Sequence, residues 1–230
     1  MNGLKVYLKL LRDLSLILPH QGKESATKQV FSSLLGGSVN VFFDMGAKIG
    51  SYSWLAKEHR VKDIFMFKPD CTNCRLLMRT LRVNRLEHVF LVPFAASASA
   101  GVATFCPDRA SGATGSLENH RLNAHSLHTA YGMGEALAAP TLPLDPFADF
   151  CHGKRVLIKI DVEGAEAFVL AGAMDMIRQT FPVIIVECFE PSKLEVMQPL
   201  GYTIQSLEEN GNYLLRPPGF VLPGLSMQQC

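Results

Sequence analysis

Short apolar runs that alternate with helical periodicity constrain this chain more than any other feature. Val39–Phe43 precedes Ser51–His59, Asp63–Phe67 precedes Asp70–Val83, and Val89–Phe94 ends the first series. The pattern resumes with Arg155–Ile160, a helix from Ala165 to about Gln179 bent near Gly172, Val183–Val186, and a helix from Ser192. Strands alternating with helices predict a parallel sheet. Two last strands, Tyr202–Leu207 and Tyr213–Leu215, flank the turn-rich link Glu209-Asn210-Gly211-Asn212, which predicts an antiparallel hairpin.

The 230 residues can bury one full core, and 48% hydrophobic against 19% charged residues excludes disorder. Lys+Arg 22 against Asp+Glu 21 leaves a net charge of +1, which excludes a global field that would draw in nucleic acid. Aromatic and basic residues do not interleave, so no nucleic-acid partner is expected. Leu4–Leu18 is apolar but broken by Lys5, Lys9, Arg12 and Asp13, and it is too short to span a bilayer. Its cations recur at i, i+4 and i+7, which predicts an amphipathic helix and leaves peripheral membrane contact open. With a second helix over Glu24–Leu35 it would form a helical cap over residues 1–37.

Six scattered cysteines and no cleavable signal pattern point to reduced thiols and a cytoplasmic location. Cys71 and Cys74 form one C-x-x-C without the second pair that zinc needs, and His120, His125 and His128 fit no standard metal spacing, so no metal is expected. The stretch Pro107–Pro140, rich in Gly, Ala, Ser and His, suits a lid or irregular insertion. Residues 217–230, with Pro217, Pro218 and Pro223, suit an extended tail, and Trp54 suits the core.

The first strand runs into Asp44-Met45-Gly46-Ala47-Lys48-Ile49-Gly50 and then a helix. Glycines there permit a tight turn, and a helix N-terminus attracts an anionic ligand group. A dinucleotide fingerprint from Gly46 would need glycines at 48 and 51, where Lys48 and Ser51 stand, and no Gly-Lys-Ser/Thr phosphate loop is present. What remains is Asp-x-Gly-x-x-x-Gly. It is followed in order by Phe67-Lys68-Pro69-Asp70, Pro93-Phe94-Ala95-Ala96-Ser97, Leu144-Asp145 and Lys159-Ile160-Asp161-Val162-Glu163-Gly164-Ala165-Glu166. Together these blocks resemble the FkbM-type family of class I S-adenosylmethionine-dependent methyltransferases.

The resemblance implies an α/β fold over residues 38–216, a three-layer Rossmann-like sheet of seven strands with the last antiparallel. It implies S-adenosylmethionine as cofactor and methylation of a hydroxyl on a small-molecule or glycan acceptor. Asp44, Gly46, Ala47 and Gly50 would hold the methionine end, Lys68 would stand at the ribose, and Ala95 and Ala96 would line the adenine. Asp161 and Glu163 would be catalytic, either serving as the base, and Glu187 would meet substrate. Glu163 and Glu166 also suit a capping-box-like pair.

Two residues depart from the family pattern. Lys48 replaces a common Asn and is expected to point to solvent. Lys68 replaces an acid that accepts hydrogen bonds from the ribose, and an ammonium only donates. Either Asp70 or a water supplies the acceptor, or cofactor binding is weak, or the ligand has changed. Two alternatives stay open: a catalytically silent binding module and an NADP-binding reductase, whose 2′-phosphate a cation would suit.

Overall fold

Seven of the strands in the computed structural model lie in one sheet, and their order explains why so many of them are apolar throughout. The structure describes residues 3–9, 13, 25–108, 115–117, 136–207 and 211–221. Strands β1 (Val41–Met45), β2 (Asp63–Phe67), β3 (Val89–Val92), β8 (Val156–Ile160) and β9 (Val183–Glu187) run parallel. β11 (Asn212–Arg216) runs antiparallel to both β9 and β10 (Thr203–Ser206), and the full order is β10-β11-β9-β8-β1-β2-β3. The expected seven strands with one antiparallel member, and the expected terminal hairpin, are therefore present.

Every residue of β1, β2 and β8 is buried, because helices cover both faces of the sheet. Strand parity splits the core into two layers. Phe43, Met45, Ile158 and Ile184 pack with Ala148 and Cys151 of α4 (Ala148–Cys151), with Val169 of α5 (Glu166–Ala171) and with Met176 and Ile177 of α6 (Met174–Thr180). Phe42, Leu157 and Ile185 pack on the other face with Phe31 of α1 (Ser25–Leu35), Trp54 of α2 (Ser51–Glu58) and Leu77 of α3 (Cys71–Val83). Each such side chain, fully buried, contributes about 1.5–3 kcal/mol. The bend foreseen near Gly172 is a break: a Cβ there would lie 2.1 Å from the Ser97 carbonyl oxygen, so the glycine lets α5 and α6 approach that loop.

Three expectations are corrected. Residues 4–9 are not helical; Leu4, Val6 and Leu8 face inward while Lys5, Tyr7 and Lys9 are exposed, a period of two that the lysine spacing obscured. This segment is tied to α3, where Lys5 N–H donates to Asn84 Oδ1 (2.9 Å) and Tyr7 N–H to Thr80 Oγ1 (3.0 Å). Most of the remainder of the helix expected to Leu18 lies outside the described residues, although Asp13 is helical and its N–H donates to the Lys9 carbonyl (2.9 Å). The segment from Pro191 to Leu200 is a 3₁₀ rather than an α-helix, with Pro199 inside it.

The third correction concerns the expected insertion, which borders a second sheet. β4 (Ala95–Ala96), β7 (Leu137–Leu142), β5 (Gly101–Cys106) and β6 (Ser116–Leu117) lie in that order. Residues 109–114 and 118–135, including His120, His125 and His128, lie outside the described residues, as do 208–210 and the tail from 222. No helix among the described residues is long and apolar enough to cross a membrane.

Candidate functional site

β1 lies between β2 and β8, so the chain leaves the sheet in opposite directions on its two sides and a crevice opens at the carboxyl ends of these strands. Gly46 (φ +87°) makes the first turn there, and a Cβ on it would lie 1.8 Å from the Asp161 carbonyl oxygen. Gly50 (φ +85°) starts α2, and a Cβ on it would press into the Trp54 indole at 2.5 Å. Both glycines are thus required by the chain's own packing. Gly46 and Ala47 also spend their N–H groups on the Phe67 carbonyl, at 3.1 and 3.2 Å.

Behind the turn lies a seam of buried charge. Asp44 stands in register with Lys159 on the adjacent strand. Its carboxylate accepts from Ser53 Oγ (2.6 Å) and from the Ser53 backbone, so it caps the start of α2. Burial pushes the Asp44 carboxyl up, against the pull of Lys159. Lys159 Nζ donates to Asp161 Oδ2 (2.9 Å), and Lys48 Nζ lies 3.2 Å from the same oxygen. Lys159 also sits 4.6 Å from the centroid of the Tyr52 ring. Burial alone would raise the Asp161 carboxyl, but Lys159 and Lys48 overcome it and hold the group well below the usual carboxylate range. Lys48 therefore turns inward to Asp161, contrary to the solvent-facing expectation. A lysine two residues after Leu157, on the same face of β8, was the available signal for Lys159, since a lysine on a core-facing position needs a counter-charge.

In front of the turn is the cleft. Gly46, Phe67, Lys68, Pro69, Asp161, Val162 and Ala165 line one part of it, and Phe94, Ala95, Ala96, Phe105, Gly115 and Leu117 another. The second sheet thus supplies an apolar wall opposite the strand ends. Lys68 is only 4% exposed, and burial, followed by repulsion from Lys48, pushes its ammonium down. Asp70 caps α3, its Oδ1 accepting from the Asn73 N–H (2.7 Å).

Beside Asp161 the chain is strained at Glu163 (φ +53°), which is followed by Gly164 (φ +100°). Glu166 Oε1 accepts from the Gly164 N–H (2.6 Å) and fixes this turn, whereas Glu163 does not cap α5, whose first flanking residue is Ala165. Burial and the neighbouring Asp161 push the Glu163 carboxyl up to about 7, and the same two causes push Glu187, at the end of β9, up to about 8. Of the residues singled out in the sequence, the structure brings Gly46, Lys68, Ala95, Ala96 and Asp161 into one cleft. Glu163 and Glu187 interact electrostatically with Asp161 at its edge. Asp44, Ala47 and Gly50 pack at the start of α2, next to this cleft's glycine turn. Among the described residues no group of three or more His, Cys, Asp or Glu could hold a metal ion.

The methyltransferase FkbM domain model matches residues 44–212. Among solved structures, the methyltransferase FkbM from Methylobacillus flagellatus KT superposes with a TM-score of 0.51 at 17% identity, over 77% of this chain and 43% of that one. This chain thus spans less than half the length of that protein. Precorrin-6y C5,15-methyltransferase from Geobacter metallireducens GS-15 gives 0.44 at 16% identity, over 86% and 89%. A methyltransferase from Geobacter sulfurreducens gives 0.46 at 13%, over 89% and 84%. No curated protein matches.

Proposed function

Because the chain belongs to the FkbM methyltransferase family, we propose that it transfers a methyl group from S-adenosylmethionine to a hydroxyl of a small-molecule or glycan acceptor. The observation that carries this reading is the cleft itself, which joins an apolar slot to a buried, ionised carboxylate at the switch point of the sheet. The residues present fit such a donor at two of its parts. Phe94, Ala95 and Ala96 leave room for a flat ring, and Asp161 with Glu163 suits a positive sulfonium. Lys68 can donate to ribose oxygens but cannot accept from them.

When bound, the donor supplies a methyl group activated by the sulfonium. The chain aligns and shields it: the strand ends fix one side and Phe105 and Leu117 of the second sheet exclude water on the other. Holding acceptor and donor in line supplies most of the acceleration in a displacement of this kind. The acceptor hydroxyl must also lose its proton. Asp161, engaged by two ammonium groups on one oxygen, is a poor base and a good electrostatic anchor. Glu163, at about 7, is the base this site offers at neutral pH, and Glu187 flanks the acceptor. The cytoplasm suits the five described cysteines, all of them free thiols.

The test is calorimetric titration of the full chain with S-adenosylhomocysteine, with NADPH as control. Micromolar binding of the first is expected; binding of NADPH alone would overturn the reading.

A further inference from the structure

Lys68 lines the cleft with a positive charge that the ribose of the proposed methyl donor does not neutralise. Its side chain is 4% exposed and lines the cleft, yet its Nζ has no hydrogen-bond or ion-pair partner among the described residues. The backbone around it is fixed: its N–H donates to the Val92 carbonyl (3.2 Å) and its carbonyl accepts from Cys74 Sγ (2.9 Å). The nearby acids bond other groups, Asp70 Oδ1 the Asn73 N–H and Asp161 Oδ2 both Lys48 and Lys159. Asp70, Asp161 and Glu163, in that order, still favour its charge from a distance, without a hydrogen bond or ion pair to Nζ. A buried ammonium without a directly bonded counter-ion costs stability and is relieved when a ligand anion pairs with it.

Position and surroundings identify the anion. Lys68 follows the second strand, about twenty residues beyond the glycine turn, where open α/β sheets read the ribose of a bound nucleotide and where a cation selects a ribose phosphate. The apolar wall of Phe94, Ala95 and Ala96 lies in the same cleft. We propose that the Lys68 end of the cleft is an anion receptor that admits an adenosine phosphorylated on its ribose 2′ or 3′ oxygen, in competition with the methyl donor. The adenosine half of this inference rests on the donor reading above; the anion half rests on Lys68.

The experiment is calorimetric titration of the full chain with adenosine and with its 2′-, 3′- and 5′-monophosphates, repeated on Lys68→Met and Lys68→Gln, each also melted. At least tenfold tighter binding of the 2′ or 3′ isomer than of adenosine is expected. Both variants should lose that gain and melt no lower than the native chain. Equal binding of adenosine and its phosphates, a gain confined to the 5′ isomer, a gain that survives both substitutions, or a lower melting point in both would overturn the proposal. S-adenosylhomocysteine titrated alone separates the two readings. If it binds while the phosphates show no preference, methyl transfer stands and the receptor falls; a phosphate preference without it does the reverse.

Discussion

The seam between β1 and β8 and the rim of the cleft both bury charge within a few residues of each other, and they do so in opposite ways. In the seam each acid has its answer: Asp44 takes the Ser53 hydroxyl, and Asp161 takes Lys159 and Lys48. At the rim Lys68 lacks a hydrogen-bond or ion-pair partner among the described residues, Glu163 sits in a left-handed conformation, and burial and Asp161 raise the proton affinity of both Glu163 and Glu187. Satisfied charge holds strands together; unsatisfied charge is stored for a ligand, at a cost in stability. The two kinds of site lie on one sheet edge, and Asp161 belongs to both.

Removing a cation from the seam should have the largest effect. Lys159→Met would leave Asp161 with Lys48 alone and Asp44 with no opposing cation, and urea denaturation should show a loss of about 3–5 kcal/mol. A loss below about 1 kcal/mol, typical of an exposed pair, would mean the seam is not the buried network described. At the rim, Glu163→Gln should lower methyl transfer about 10²-fold or more while S-adenosylhomocysteine binding is kept. The native kcat/KM should rise with pH through about 7, as Glu163 ionises, and flatten in the variant. An unchanged rate and profile would leave Glu163 without a role as base.

A third prediction separates the regions by proton linkage. Glu187 has a folded-state pKa of about 8, above its ordinary 4.5, so the folded chain keeps a proton that the unfolded chain releases as pH rises between these values. Stability should therefore fall as pH rises from about 5 to about 8, and Glu187→Gln should remove its share of that fall. Urea midpoints at the two ends of the range check this. Asp161 runs the other way: its depressed pKa favours the fold until the medium becomes acid enough to protonate it. The smallest effect belongs to Asp70→Ala, which removes the α3 cap and should cost about 1 kcal/mol without altering methyl transfer beyond a few-fold.

Much of the scaffold could be read from the chain, because strand length and apolar content are local properties. The runs Val41–Met45, Asp63–Phe67 and Val156–Ile160 were visible as strands, and the hairpin announced itself by its turn. Leu4–Lys9 misled because its lysines satisfy a helical spacing while its apolar residues satisfy a strand spacing; contact with α3, a feature of tertiary structure, selects the second. At the site, Gly46, Lys68, Ala95, Ala96 and Asp161 were identifiable because each follows a strand end. The roles within that set were not. Asp161 and Glu163 are two residues apart, yet one is held ionised by lysines from different segments and the other is raised by burial, and neither environment is written in local sequence. The Ser53 hydroxyl on Asp44 Oδ2 is likewise a tertiary feature that the motif alone does not show.

Trp54 gives this molecule a built-in optical probe. It is the single tryptophan of the chain, its indole covers Gly50, and its Nε1–H donates to the Ile49 carbonyl at 2.8 Å. Emission from that ring therefore comes from the turn that carries Gly46, without a label and without a competing fluorophore of its kind. A ligand that moves the turn must change the indole's hydrogen bond, and a ligand that occupies only the far wall need not. Steady-state fluorescence, recorded during any titration of the cleft, would thus say which end of it has been filled.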